Sequence, residues 1–527
     1  MTELRSTNRD GDAAADRSWR TLVSIVGLVT IFRLIVLFTS PLELYPDEAQ
    51  YWLWSRHLAL GYFSKPPLIA WLISMTTVMG RDTEAFVRLS SPLIHAATAL
   101  VLARVGRRFY GAWAGTAGAV LYLLAPGVAL SAFVVSTDPA LLLGLALALW
   151  AYAALQEASP GRGRIGAAAA FGAALGLAFL AKYAALFAVL GLLAHLALSP
   201  AARRAWSPRA AVVALLALAV LAGPNLLWNA QHGFATVAHT ATNADLNGPR
   251  FDALSMLRFL GAQFGVFGPI PFAILLGTGG WLAWRRRLEP ADVLLLCFAL
   301  PPLIVMLAEA FLARANANWA AAAYVPASVL VGGWLVRWKA WRWLAAAVAS
   351  QAVIAIALML GLAMPALADK AGAANSLKRL RGWRETTRGL TDRASLEDLN
   401  GHLSAVAVDD RFVFNEAAYY GRGYFGVAGP PLKMWVRGAA PRNQAELTAP
   451  LTAVDGARVL GASLEGRNTA AMSADFTKAD DRQINQVSLD LRHWRSVTTF
   501  LGTGFQPRPR TSKPAPAPPP AVSATRP

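Results

Sequence analysis

The sequence predicts a polytopic α-helical membrane protein of about eleven transmembrane helices, followed by a small α/β domain, and three observations carry that reading. Of 527 residues, 55% are hydrophobic and only 15% charged, with a mean hydropathy of +0.41, whereas soluble domains carry about 25% charged residues. Apolar runs of bilayer-crossing length recur from residue 19 to residue 364. Beyond residue 365 they stop, and short strand-like and helix-like stretches alternate instead.

The runs lie at 19–40, 86–104, 111–130, 139–155, 165–181, 183–198, 210–228, 260–284, 291–312, 319–336 and 342–364. Most are close to the roughly 17 to 25 residues that span a hydrocarbon core of about 30 Å. The first carries Arg33 and is followed by no small-residue cleavage site, so it reads as a retained span preceded by a tail over 1–18. The single cysteine, Cys297, excludes an intrachain disulfide and a thiolate metal cluster.

A net charge of +18 raises the question of nucleic acid, and the location of the charges answers it. Alternate loops hold Arg104, Arg107, Arg108, Arg162, Arg164, Arg203, Arg204, Arg209, Arg285, Arg286, Arg287, Arg337, Lys339 and Arg342, against the acids Glu157 and Glu289. The other loops hold seven basic residues against nine acids. By the positive-inside rule the first set is cytoplasmic, the N-terminus lies inside, and everything after residue 365 lies outside. The charge is a topological signal, and no nucleic-acid partner is expected.

The outside loops are the chemically mixed ones. They read "YPDEAQYW" (45–52), "GYFSKPPLIAW" (61–71), "STDP" (136–139), "PNLLWNAQHGFATVAHT" (224–240) and "RANANWAAAAY" (314–324). The aromatic residues of the first loop, 41–85, suit a helix lying in the interface. Pro66 and Pro67 then force Lys65 into extended backbone. A carboxylate at the bilayer centre costs about 2.5–3.5 kcal/mol, so Asp47 and Glu48 belong at the water boundary or in a polar cavity. There an aspartate serves as a general base towards a hydroxyl and a lysine neutralises a phosphate. The same residues admit a structural reading, with Asp47 capping a helix, Glu48 at its N-terminus and Lys65 snorkelling. Asp138 before Pro139 likewise looks like a helix cap. Lys182 stands between two spans with almost no loop, and Arg314 follows the ninth span. Either could reach a lipid phosphate, with Arg the better ligand. His232 and His239 are seven residues apart; two histidines alone make a weak metal signal, and a divalent ion would need Asp47, Glu48 or Asp138 as well.

Taken together, "YPDEAQYW", "GYFSKPPLIAW", "STDPALLL", "FLAKYAALF", "PNLLWNAQHGF" and "NANWAAAAY" resemble the bacterial branch of the dolichyl-phosphate-mannose protein mannosyltransferases, glycosyltransferase family 39. Aminoarabinose and galacturonic acid transferases are relatives of that branch. The resemblance covers residues 19 to about 430. It implies a GT-C fold enzyme of the bacterial inner membrane that takes sugar from a polyprenyl monophosphate on the periplasmic face, with inversion, and passes it to lipid A, lipopolysaccharide core, another glycan or a protein hydroxyl. It implies Asp47, with Glu48 beside it, as the catalytic acids, and Lys65, Lys182 and Arg314 on the donor phosphate. Substrate contacts are expected from Tyr45, Tyr62, Asp138, Tyr183, His239 and Asn318. No cofactor is implied beyond the divalent ion weighed above. Aminoarabinose transferases usually read Glu-Lys-Pro where this chain has Ser64-Lys65-Pro66, so a contact from that glutamate is missing. The rival reading is a lipid-linked sugar flippase, which would carry its ionisable residues near the midplane.

The domain plan is therefore a catalytic membrane domain over 19–364, a periplasmic domain over 365–505 and a tail over 506–527. In the second, "SLKRLRGWRETTRGL" and "RFVFNEAAYYGRG" read as helices and "LSAVAVDD", "PPLKMWVRG" and "GARVLGASL" as strands. The proline-rich tail cannot bury a core and is expected to be disordered.

Overall fold

The computed structural model describes residues 2–243 and 251–509, and most of the tail reading lies outside them. The chain forms two compact units, Met1–Leu42 with Trp54–Ala374, and Glu43–Leu53 with Asn375–Pro527.

The first unit is helical. Among the described residues eight helices are long and apolar enough to cross a membrane: Ala13–Thr39, Glu84–Tyr110, Thr137–Glu157, Arg162–Ala181, Pro208–Gln231, Pro290–Leu312, Ala317–Arg337 and Trp341–Ala363. Three of the eleven apolar runs are interrupted. The run at 111–130 splits into Ala112–Leu123 and Pro126–Ser131, because Ala125 is extended ahead of Pro126. Lys182 in extended backbone and a 3₁₀ turn at Tyr183–Ala185 leave Leu186–Leu198 with 13 residues. The run at 260–284 bends by 118° between Ala253–Phe267 and Pro269–Trp284. Gly268, at φ 109°, supplies the positive dihedral there and Pro269 starts the next helix. The first outside loop in turn holds a 13-residue apolar helix, Leu68–Gly80, beginning where Pro66 and Pro67 end.

Small residues let these helices approach closely. A Cβ on Gly118 would lie 2.8 Å from the Val329 Cα, so helices Ala112–Leu123 and Tyr324–Arg337 meet backbone to backbone. Around that contact lies a core containing Tyr122, Tyr152, Phe267, Phe272 and Trp334. At the end of the bundle that carries the basic loops, the fully buried Asp292 accepts from Tyr110 Oη at 2.6 Å, Trp334 Nε1 at 2.9 Å and Arg337 Nη2 at 3.1 Å.

The second unit is built on a five-stranded sheet. Its strands are β1 (Ala405–Val408), β2 (Leu432–Met434), β3 (Arg458–Leu464), β4 (Phe476–Ser488) and β5 (Trp494–Phe505), in the order β2-β1-β3-β5-β4. β1 runs parallel to β2 and β3, and its four residues are all buried, as expected of a strand covered on both faces. β5 pairs antiparallel with β3 and β4. Helix Trp383–Leu399 follows Gly382 and has no capping side chain of its own there. Glu43 supplies it, accepting from the Trp383 and Arg384 N–H groups at 2.5 and 3.2 Å. Asp409, just past β1, accepts from Ser463 Oγ at 2.6 Å, Asn468 Nδ2 at 2.8 Å and the Leu464 N–H at 3.0 Å.

Burial pushes the carboxyls of Glu43 and Asp409 above the usual carboxylate range, although the hydrogen bonds they accept pull the other way. A raised value means that the folded unit holds these protons more tightly than the unfolded chain. This contribution to stability is complete below the unfolded carboxylate pKa of about 4 and is lost as pH rises through the folded value. Thermal unfolding of the full chain, followed through tryptophan emission over that window, is expected to show a falling midpoint for this unit. Glu43→Gln and Asp409→Asn should each flatten the slope; an unchanged slope in both would remove them as its source.

Candidate active site

The centre of the polar cluster in the membrane unit is Asp138. Helix Thr137–Glu157 is capped by Ser136, whose Oγ accepts from the Asp138 N–H at 3.3 Å. The capping role read for Asp138 thus falls to Ser136, and the Asp138 carboxylate turns to side chains. Lys182 Nζ lies 2.7 Å from Oδ1, and Asn318 Nδ2 donates to Oδ2 at 3.2 Å. Lys182 reaches it because the helix Arg162–Ala181 ends there, with Lys182 at φ −163° and ψ 138°. Asn318 sits in the 3₁₀ turn Ala317–Ala323 that opens the next helix.

The charge of Lys65 also acts on the Asp138 carboxylate. Lys65 lies in the bend after Tyr62, and its carbonyl accepts from the Tyr62 N–H at 3.1 Å. The Lys182 ammonium therefore contacts the carboxylate directly, and the charge of Lys65 acts on it as well. Three helix ends and one proline-bounded loop bring them together, and both members of the Lys182–Asp138 pair keep part of their side chains accessible, 24% and 15%. Such a cluster has positive charge to offer an anion.

A second layer holds the loop that carries Lys65. Asn225 Nδ2 donates to the Leu60 carbonyl at 2.7 Å, and Thr236 Oγ1 to the Tyr62 carbonyl at 2.7 Å. Tyr183 Oη donates to Asn225 Oδ1 at 2.9 Å and accepts from Asn229 Nδ2 at 2.8 Å. A side chain on Gly61 would run into the Trp228 ring. The Tyr62 ring stacks on Trp54 with centroids 4.6 Å apart, and its Oη lies 3.1 Å from the Trp54 carbonyl. Burial pushes that phenol's pKa up. Tyr62 and Tyr183, read from the sequence as substrate contacts, are both built into this support. Asn225 and Asn229 were quoted within "PNLLWNAQHGF" but assigned no role; their spacing of four residues, which puts them on one helix face, was the available signal.

Arg314 follows helix Pro290–Leu312, is exposed, and pairs with no carboxylate among the described residues. His232 stacks on Trp228 at 4.1 Å, and its Nδ1 lies 2.8 Å from the Trp228 carbonyl. The side chain of His239 lies outside the described residues. Among the described residues no three His, Cys, Asp or Glu side chains converge as a metal ligand set.

The acidic pair is held in the second unit. Helix Pro46–Ser55 starts after Tyr45, whose N–H donates to Glu48 Oε2 at 2.8 Å, one half of a capping box. Glu48 is 2% exposed. Asp47 instead presents a half-exposed carboxylate, 3.1 Å from Arg411 Nη1, which also donates to Gln50 Oε1 at 3.1 Å. Tyr45 Oη accepts from Arg379 Nη1 at 2.6 Å. Arg379 and Arg411 carry no motif of their own, so nothing in the sequence singles them out.

The comparisons with known proteins agree on one family. Residues 64–228 match the family model described as dolichyl-phosphate-mannose-protein mannosyltransferase. The chain is 41% identical over 326 residues to the lipid A galacturonosyltransferase RgtD of Rhizobium johnstonii. The chain thus resembles glycosyltransferases in sequence over these residues. The match to RgtD takes in 60% of this chain and spans 66% of the relative's length. Crystal structures of ArnT from Cupriavidus metallidurans show the same fold. The apo form superposes with a TM-score of 0.63 at 16% identity, covering 92% of this chain and 98% of that one. The form bound to undecaprenyl phosphate gives 0.60 at 18% identity, covering 90% and 97%. The segment matched by the family model includes Lys65, Asp138, Lys182, Tyr183 and Asn225.

Proposed function

We propose that the chain transfers a sugar from a polyprenyl-phosphate donor to lipid A or the lipopolysaccharide core, at the periplasmic face of a bacterial inner membrane. The observation that carries this reading is the ion pair of Lys182 with Asp138 at 2.7 Å, with Asn318 on the same carboxylate and the charge of Lys65 acting on it. A donor phosphate entering the cluster meets two ammonium groups held in place, with the exposed Arg314 as a further cation. The name of the relative RgtD supports lipid A as acceptor and makes galacturonic acid the first sugar to test. The charge asymmetry of the loops supports a cytoplasmic N-terminus and a periplasmic C-terminal unit.

In the proposed reaction the acceptor hydroxyl oxygen attacks the anomeric carbon from the face opposite the phosphate. The bond from that carbon to the phosphate oxygen breaks, and its electron pair leaves with the polyprenyl phosphate. Asp47 takes the hydroxyl proton. Lys65, Lys182 and Arg314 stabilise the charge that develops on the departing phosphate. One displacement gives inversion.

The test uses the full chain in proteoliposomes with radiolabelled polyprenyl-phosphate galacturonic acid and lipid A. Labelled lipid A and free polyprenyl phosphate are expected in equal amounts. Movement of the donor between leaflets with no release of polyprenyl phosphate would replace the transferase reading with the flippase one.

A further inference from the structure

We propose that a notch at the basic end of the membrane unit binds the phosphate headgroup of an anionic phospholipid. The notch has a volume of about 210 Å³ and is lined by Ser18, Trp19, Arg104, Arg107, Ala112 and Thr116. Two helix ends, the last turns of Glu84–Tyr110 and the start of Ala112–Leu123, form it against the side of helix Thr2–Thr39 around Ser18 and Trp19. A Cβ on Gly106 would lie 2.6 Å from the Gly115 Cα, so the two ends touch through their backbones. That contact fixes Arg104 and Arg107, three residues apart, on the face that looks into the notch.

The charges at this end are treated unequally. Arg108 is paired with Glu157 at 2.7 Å, and Arg337 with Glu289 at 2.6 Å and Asp292 at 3.1 Å. Arg104 and Arg107 meet no carboxylate among the described residues, and Arg104 lies over the Trp19 ring at 4.9 Å. The hydroxyls on the floor are already engaged, Ser18 Oγ with the Ala112 carbonyl at 2.9 Å and with Thr116 Oγ1 at 2.8 Å. The two guanidinium groups are therefore what the notch offers, and a phosphate is their matching ligand.

Depth identifies the phosphate as a lipid's. Asp138 and Glu157 stand at opposite ends of one helix, about 28 Å apart at 1.5 Å per residue, close to the thickness of a hydrocarbon core. Arg108, bound to Glu157, places the notch at that far end, at the headgroup level of the leaflet opposite the Asp138 cluster. Trp19 beside it is the residue type that settles at this depth. Basic pockets between transmembrane helices at this level take anionic headgroups, and each arginine near the surface contributes roughly fivefold to the affinity. This site is independent of the sugar-transfer reading.

The experiment is native mass spectrometry of the full chain, extracted from nanodiscs of mixed phosphatidylglycerol and phosphatidylcholine. The wild type is expected to retain phosphatidylglycerol, and raised salt to strip it. Arg104→Gln/Arg107→Gln is expected to lower retention by about 30-fold, Arg104→Lys/Arg107→Lys to keep most of it, and Arg108→Gln to leave it unchanged. Equal retention by the double glutamine variant, or retention insensitive to salt, would overturn the proposal. So would complete displacement by inorganic phosphate, which would make the ligand a free anion. If the glutamine variant does not elute as a monodisperse species, the salt titration and the phosphate competition on the wild type decide alone.

Discussion

Lys182→Met is expected to abolish sugar transfer and to lower the stability of the membrane unit at the same time, and the two losses have separate causes. The ammonium lies 2.7 Å from Asp138, whose side chain is 15% exposed. Removing it leaves a largely buried carboxylate with Asn318 as its hydrogen-bond donor and Lys65 as its nearby charge. Breaking one side of a fully buried pair costs about 3–5 kcal/mol; with Lys65 still acting and part of the pair accessible, about 2 kcal/mol is expected here. In the proposed reaction the activity loss comes from the transition state, where charge builds on the leaving phosphate. A lost electrostatic stabiliser of that kind costs about 10²- to 10³-fold in kcat. The double variant Lys182→Met/Asp138→Asn separates the two. It removes both charges, so thermal unfolding should return most of the way to wild type while transfer stays lost. Recovery of activity together with stability would make Lys182 a structural partner of Asp138 and nothing more.

What was readable in the sequence, and what was not, divides along a physical line. Apolar runs of bilayer length and a one-sided distribution of arginines declare themselves locally, and the helices follow them. Strands β1, β2 and β3 announced themselves as short apolar runs between turns. β4 did not, because "FTKADDRQINQVS" is exposed over most of its length and is held by its pairing with β5. The broken spans were missed because an apolar count passes over Pro126 and Gly268, whose effect lies in backbone dihedrals. Lys65, Asp138 and Lys182 stood out as charges at the ends of apolar runs. That Lys182 reaches Asp138, 44 residues away, depends on which helix ends meet. The layer of Asn225, Asn229 and Thr236 was hidden for the same reason, since amides and hydroxyls near a membrane boundary are unremarkable until their partners are known.

Asp47→Asn is expected to lower kcat by about 10²- to 10⁴-fold, the range that a positioned general base contributes, with little change in KM for the donor. The two acids of "YPDEAQYW" are not equivalent. Glu48 is buried and accepts from the Tyr45 N–H, so its carboxylate is committed to starting helix Pro46–Ser55. Asp47 sits in the first turn of the same helix with its carboxylate half exposed and paired with Arg411. Asparagine keeps the size and an oxygen that can accept from Arg411, so it leaves the geometry largely in place while removing the negative charge and with it the capacity to take a proton. The fall should therefore appear in kcat, with unfolding temperature and donor affinity near wild type. Glu48→Gln should show the opposite pattern, a lower unfolding temperature with kcat nearly retained, because a neutral amide is a weaker acceptor for the helix N-terminus. Steady-state transfer assays and thermal unfolding on both variants read the two quantities separately. Full activity in Asp47→Asn would remove that carboxylate from the proton transfer, and a collapse of kcat in Glu48→Gln at unchanged stability would hand the role to its neighbour.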